Sequence, residues 1–212
     1  GTKLFQSYLD NHSQLYNIPA YPLLYFYPHW NDWKTELVND WNWDAIVEVF
    51  LVKHASLLDS RKIPGVNGLD AIGDNGDEHI EIDEVQFKKY LLELLNEEHV
   101  RRSTFLLAVN YAYALCKNED VFSKRVFLWH HHVYLYLEDV ILDFPDLVLF
   151  GLIRDARPRV FRAYDALVKL DKIKLNKTDA MIYRSQLFFH CVRIIFGQLH
   201  KLDSLLSPEK IF

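Results

Sequence analysis

The chain has 212 residues, half of them hydrophobic, and carries a formal net charge of -5. The apolar content excludes a disordered chain, and the length is enough for one domain with a substantial core. The acidic balance argues against a general nucleic-acid binder, which usually carries a broad basic surface.

No stretch reaches the ~18 consecutive apolar residues of a membrane span, and no signal peptide is visible. Cys116 and Cys191 lie in apolar helical patterns without metal-type spacing. They read as reduced core residues of an intracellular, cytoplasmic protein, with a disulfide left open. The chain starts at Gly1 in a helical pattern and closes on "SPEKIF", a turn followed by the first residues of a strand. Both ends are expected to be incomplete.

Residues 3–11 place Leu4, Phe5, Tyr8 and Leu9 on one helical face. The following stretch to Trp33 is rich in Pro and aromatics and reads as extended chain and loop. Its rings (Tyr21, Tyr25, Phe26, Tyr27, Trp30, Trp33) suit either an acceptor pocket or ordinary core packing. A helix is expected over 34–58, with Leu37, Trp41, Ile46, Phe50 and Leu51 inward. Residues 59–84 hold four of the seven glycines and eight acidic residues, and read as a loop or insertion.

Asp83, with Gln86 three residues on, predicts a capped helix start, and that helix runs to about Asn96. A second helix spans 100–118, with Phe105, Leu106, Val109, Ala112, Tyr113 and Cys116 on its inner side. "KRVFLWHH" (124–131) reads as a strand, and 133–144 as a short helix ended by Pro145. "DLVLFGLI" (146–153) is apolar on both faces, as in a central parallel strand. Helices follow at 157–171 and 178–202. Strands alternating with helices argue for an α/β fold with a mostly parallel sheet.

Arg154, Arg157, Arg159 and Arg162 crowd the junction after that strand. In an open parallel sheet, ligands bind beyond the carboxyl ends of the strands. Pro158 suits the first turn of a helix, where free backbone N–H groups favour an anion. Arginine adds a planar fork suited to phosphate. The plain alternative is pairing with Asp155, Asp165 and other acids. At the other end, Gly1, Thr2 and Lys3 directly precede a helix, as the second half of a phosphate-binding loop does.

In this order of parts the chain resembles the sulfotransferase family. "GTKLFQSYLDNHSQL" is similar to the second half of the family's 5′-phosphosulfate loop and its helix, and "FPDLVLFGLIRDARPRVFRAY" to its 3′-phosphate segment. The resemblance covers about residues 1–30 and 85–212. It implies a single domain over 1–212 with a P-loop-like three-layer fold, a mostly parallel central sheet flanked by helices. It also implies transfer of a sulfo group from 3′-phosphoadenosine 5′-phosphosulfate (PAPS) to a hydroxyl or amine. Gly1, Thr2 and Lys3 would hold the 5′ side of the donor, and Arg154 the 3′-phosphate. Arg162 stands eight positions after Arg154, where the family has a serine. His132, 22 residues before Arg154, takes the general-base position, with His130 and His131 as neighbours. The scheme needs no metal. The acceptor would be a small molecule, carbohydrate or peptide, and neither nucleic acid nor a membrane span is implied.

Three adjacent histidines also suggest a metal site, but neighbours on a strand point to opposite faces and converge poorly. A P-loop kinase is a competing reading, yet "GTK" sets lysine after threonine, the wrong order for that loop. A relative that binds a phosphorylated or sulfated ligand without catalysis is the third.

Overall fold

The computed structural model describes residues 8–9, 12–18, 26–62, 74–129, 136–149 and 177–205. The chain divides into two compact units, Gly1–Pro145 and Asp146–Phe212. The first unit contains β1 (Leu15–Asn17), α1 (Trp30–Glu36), α2 (Trp43–Lys53), α3 (Glu84–Leu95), α4 (Arg102–Cys116), β2 (Val126–Leu128) and α5 (Leu137–Asp143). In the second, α6 (Lys177–Leu205) is the described helix.

The helix ends follow local chemistry. Asn42 caps α2 by accepting from the Ala45 N–H at 3.0 Å. Asp83 caps α3 by accepting from the Gln86 N–H at 2.7 Å, as its spacing predicts. The Gln86 amide turns instead to the Tyr90 hydroxyl, 3.2 Å away. α4 closes in a Schellman turn. Asn118 takes a left-handed φ of 55°, Glu119 N–H reaches Ala114 O at 3.0 Å, and Asn118 N–H reaches Leu115 O at 3.1 Å.

Packing then follows the apolar faces. α3 buries Phe87, Leu91 and Leu95, and α4, its closest partner, buries Phe105, Leu106, Val109, Ala112 and Tyr113. Phe105 is the centre of an aromatic cluster. Phe26 and Phe50 meet it edge-on at 5.1 and 5.2 Å, and Trp43 stacks on it at 6.0 Å. Phe26, Tyr27, Trp30 and Trp33 are buried, so these four rings are core. Tyr21 and Tyr25 lie outside the described residues.

β1 and β2 pair in parallel, with Leu15 opposite Val126, Tyr16 opposite Phe127 and Asn17 opposite Leu128. Tyr16 and Phe127 also meet edge-on at 5.6 Å. The described protein is thus helix-rich and mixed, with a small parallel two-stranded sheet compatible with an α/β class.

Several expected elements differ. Pro28 starts a 3-10 turn at Tyr27–His29 that leads into α1, where the sequence suggests loop. A proline in a first turn loses no backbone bond, so it opens a helix rather than breaking one. The helix expected over 34–58 is divided between α1 and α2, with 37–42 between them. Asn42 is the reason, since its side chain serves a new N-terminus. Leu37 and Trp41 are half-buried there, while Ile46, Val47, Phe50 and Leu51 are buried. In the described part of the strand expected over 146–153, Asp146 lies in a turn and Leu149 alone makes a bridge. Val148 is 48% exposed, so these first positions are not buried on both faces. The helix expected over 157–171 lies outside the described residues, and α6 matches the one expected over 178–202. Near the chain start only residues 8–9 are described, and they are helical.

The loop-like stretch 59–84 is stapled at its two ends. Asp59 and Glu81 form an antiparallel bridge, and Ile82 N–H donates to Leu58 O at 2.7 Å. Arg61 bonds Asp59 and pairs with Glu81, both at 3.0 Å.

Candidate functional site

Gly1, Thr2, Lys3, His130, His131, His132, Arg154 and Arg162 lie outside the described residues. The structure does describe the frame on either side of the histidines.

Because β1 and β2 run in parallel and end at the Asn17–Leu128 pair, both present their carboxyl ends at one edge. Trp129 follows β2 directly, and His130 is next in the chain. Trp129 packs on Phe144, ring to ring at 4.9 Å. Its indole Nε1 is buried with no hydrogen-bond acceptor among the described residues.

Beyond the histidines, the chain enters α5 through Tyr136, whose φ of 68° lies in the left-handed region. A non-glycine residue there costs about 1 kcal/mol and is held by its surroundings. What holds α5 is Arg102, at the start of α4. Its Nε donates to Asp143 Oδ2 at 2.7 Å, and its Nη1 pairs with Asp139 at 3.2 Å. Asp139 and Asp143 are four apart, so both face Arg102 from one side of α5. Tyr27 donates its hydroxyl to the same Asp143 oxygen at 2.8 Å, and the guanidinium lies 4.7 Å over the Tyr27 ring. The Arg102 and Asp143 side chains are only 15% and 19% exposed.

Burial opposes the charge on Arg102, but the bonds to Asp143 and Asp139 outweigh it and raise its pKa. Burial, and then the bond to Asp143, raise the Tyr27 phenol, which stays a donor. A groove of ≈ 510 Å³ opens beside this cluster, lined also by Trp30, Asn31, Arg101 and Ser103. With two carboxylates answering Arg102, the cluster is a closed clamp rather than an open anion holder.

Other reactive side chains are held quiet. Burial, helped by Asp83, pushes the Cys116 thiol up to about 11. It is a free cysteine and stays protonated at neutral pH, a poor nucleophile. Burial raises the Tyr16 phenol, with the charge of Glu119 adding to it. Among the described residues, no three His, Cys, Asp or Glu side chains are grouped to hold a metal, and no helix is long and apolar enough to cross a membrane.

Sequence reasoning does not single out Arg102, Asp139 or Asp143. The only local signal is the four-residue spacing of the two aspartates, which does not name their partner. No family model, curated protein or solved structure matches the chain.

Proposed function

We propose that the chain carries the active site of a PAPS-dependent sulfotransferase, in a P-loop-like three-layer fold. One observation supports this reading above the motif order itself. The parallel pair β1–β2 ends at one edge, and the three histidines begin two positions past Leu128. That is where ligands bind on parallel sheets.

His132 takes the proton from an acceptor hydroxyl or amine as that atom attacks sulfur. An imidazole, whose reference pKa lies near neutrality, is the side chain suited to that task. The new bond to sulfur forms as the bond from sulfur to the 5′-phosphate oxygen breaks, and adenosine 3′,5′-bisphosphate leaves with the electron pair. The backbone N–H groups of Gly1 and Lys3 and the Thr2 hydroxyl receive the charge that develops on it. Arg154 holds the 3′-phosphate and so aligns the donor, and Arg162 stands eight positions on, where the family has a serine. The acceptor is a small molecule, carbohydrate or peptide.

The test is calorimetric titration of adenosine 3′,5′-bisphosphate into the full-length protein, wild type beside Arg154→Ala. Binding by wild type that weakens at least ~10-fold in Arg154→Ala is expected, about 1.4 kcal/mol or more for one lost charge-assisted contact. A folded wild type that does not bind removes the proposal. Binding without sulfo transfer to any acceptor class would instead favour a non-catalytic ligand-binding relative.

A further inference from the structure

α6 exposes one continuous seam along its length. Asp179, Ile182, Gln186, Phe189, Arg193, Phe196 and His200 follow one another at alternate spacings of three and four, and all are exposed. This seven-residue period sets Ile182, Phe189 and Phe196 in one row. Their exposures are 49%, 70% and 67%. The opposite side of the helix, with Tyr183, Leu187, Phe188 and Val192, is half-buried. Nothing lies within 4 Å of the side-chain position of Gly197, next to Phe196. A surface helix normally turns its polar face to water. A row of large apolar side chains on that face marks an interaction site. The polar positions between them carry an acid at one end, Asp179, and Arg193 and His200 toward the other.

We propose that α6 pairs antiparallel along this seam with α6 of a second copy of this chain. The pairing is independent of the sulfotransferase reading. A two-fold axis near Phe189 makes the seam its own complement. It brings Phe189 against Phe189, and Ile182 against Phe196 of the second copy. The same operation brings Asp179 toward His200 and Gln186 toward Arg193, so carboxylate meets imidazole and amide meets guanidinium. A parallel pair would instead set Asp179 on Asp179 and Arg193 on Arg193, and like charges in register are destabilising. Aligned helix dipoles oppose the parallel arrangement too. The seam from Asp179 to His200 is about 32 Å long. The apolar row of two copies brings on the order of 600 Å² to the interface. The stems of Gln186 and Arg193 raise this toward the ~1,000 Å² of a specific contact. The interface is at the small end of that range, so the dimer is expected to be reversible.

The experiment is sedimentation equilibrium on the full-length protein over ~1–100 µM, wild type beside Phe189→Glu and Phe196→Gln. Wild type is expected to reach twice the monomer mass within that range. Phe189→Glu enters the interface twice and should weaken the dimer at least ~100-fold, with helix content unchanged by circular dichroism. Phe196→Gln is milder and reports if the first variant does not fold. Direction is read by cross-linking with a short bismaleimide in a Cys116→Ser, Cys191→Ser background. Chains with Ile182→Cys and chains with Phe196→Cys are expected to link when mixed and not when alone. A wild type that stays monomeric overturns the proposal, as does a dimer that survives Phe189→Glu in a folded chain. A monomer whose unfolding midpoint falls in Phe189→Glu assigns the seam to another part of the same chain, and so also overturns it. Ile182→Cys chains that link to one another in preference to Phe196→Cys chains overturn the antiparallel pairing.

Discussion

Arg102 and Asp143, 41 residues apart in the chain, are joined Nε to Oδ2 at 2.7 Å in a largely buried ion pair. Removing one partner of such a pair strands the other charge, which costs more than the pair itself contributes. Arg102→Met should lower the unfolding free energy by about 3 kcal/mol, as read by urea denaturation. Tyr27→Phe removes a single bond to the same oxygen and should cost about 1 kcal/mol. Equal losses in the two variants would show that Asp143 relies on Tyr27 as much as on Arg102.

The cap of α3 offers a local contrast. Asp83→Ala leaves the Gln86 N–H without its side-chain acceptor and should destabilise by about 1 kcal/mol. Asp83→Asn retains an acceptor oxygen and should recover most of that loss. An Asn variant as unstable as the Ala variant would mean that the carboxylate charge at the helix start matters more than the bond.

His54 gives the first unit a pH dependence. It packs on Phe50 at 5.5 Å and Trp33 at 5.8 Å, and stacks on His29 at 6.0 Å. Burial lowers its pKa from 6.5 to about 4, with His29 and Lys53 adding to the shift. The unfolded chain therefore takes up this proton first as pH falls. The His54 contribution to stability is complete above about 6.5 and is lost as pH falls toward about 4. His54→Gln should flatten that part of the stability–pH curve. The same slope in variant and wild type would assign it to other groups.

Much of the helical structure is legible residue by residue. Asp83 announces α3, and the apolar spacing from Phe105 to Tyr113 gives the buried face of α4. The aromatic stretch is less legible, because Trp30, Trp33, Trp41 and Trp43 suit helix, strand and loop equally well. Pro28 therefore reads as an interruption where it is a start. The apolar run from Asp146 reads as strand throughout, yet Leu149 is the one bridge residue over 146–149, since apolar character does not mark where strand pairing begins. Arg102 is invisible as a clamp because an arginine at a helix start carries no mark of a partner 41 residues on.

The caps, the Asn118 turn and the inward faces of α3 and α4 are written into the chain locally. Each rests on hydrogen bonds or periodicity within a few residues, where the chain closes at little entropic cost. The pairing of Leu15 with Val126, the gathering of Phe26 and Phe50 on Phe105, and the hold of Arg102 on α5 were settled only by the folded unit. Those choices join distant residues, and many pairings share the same local signals. What selects among them is the apolar surface and charge that must be buried or answered together, a property of the whole packed unit.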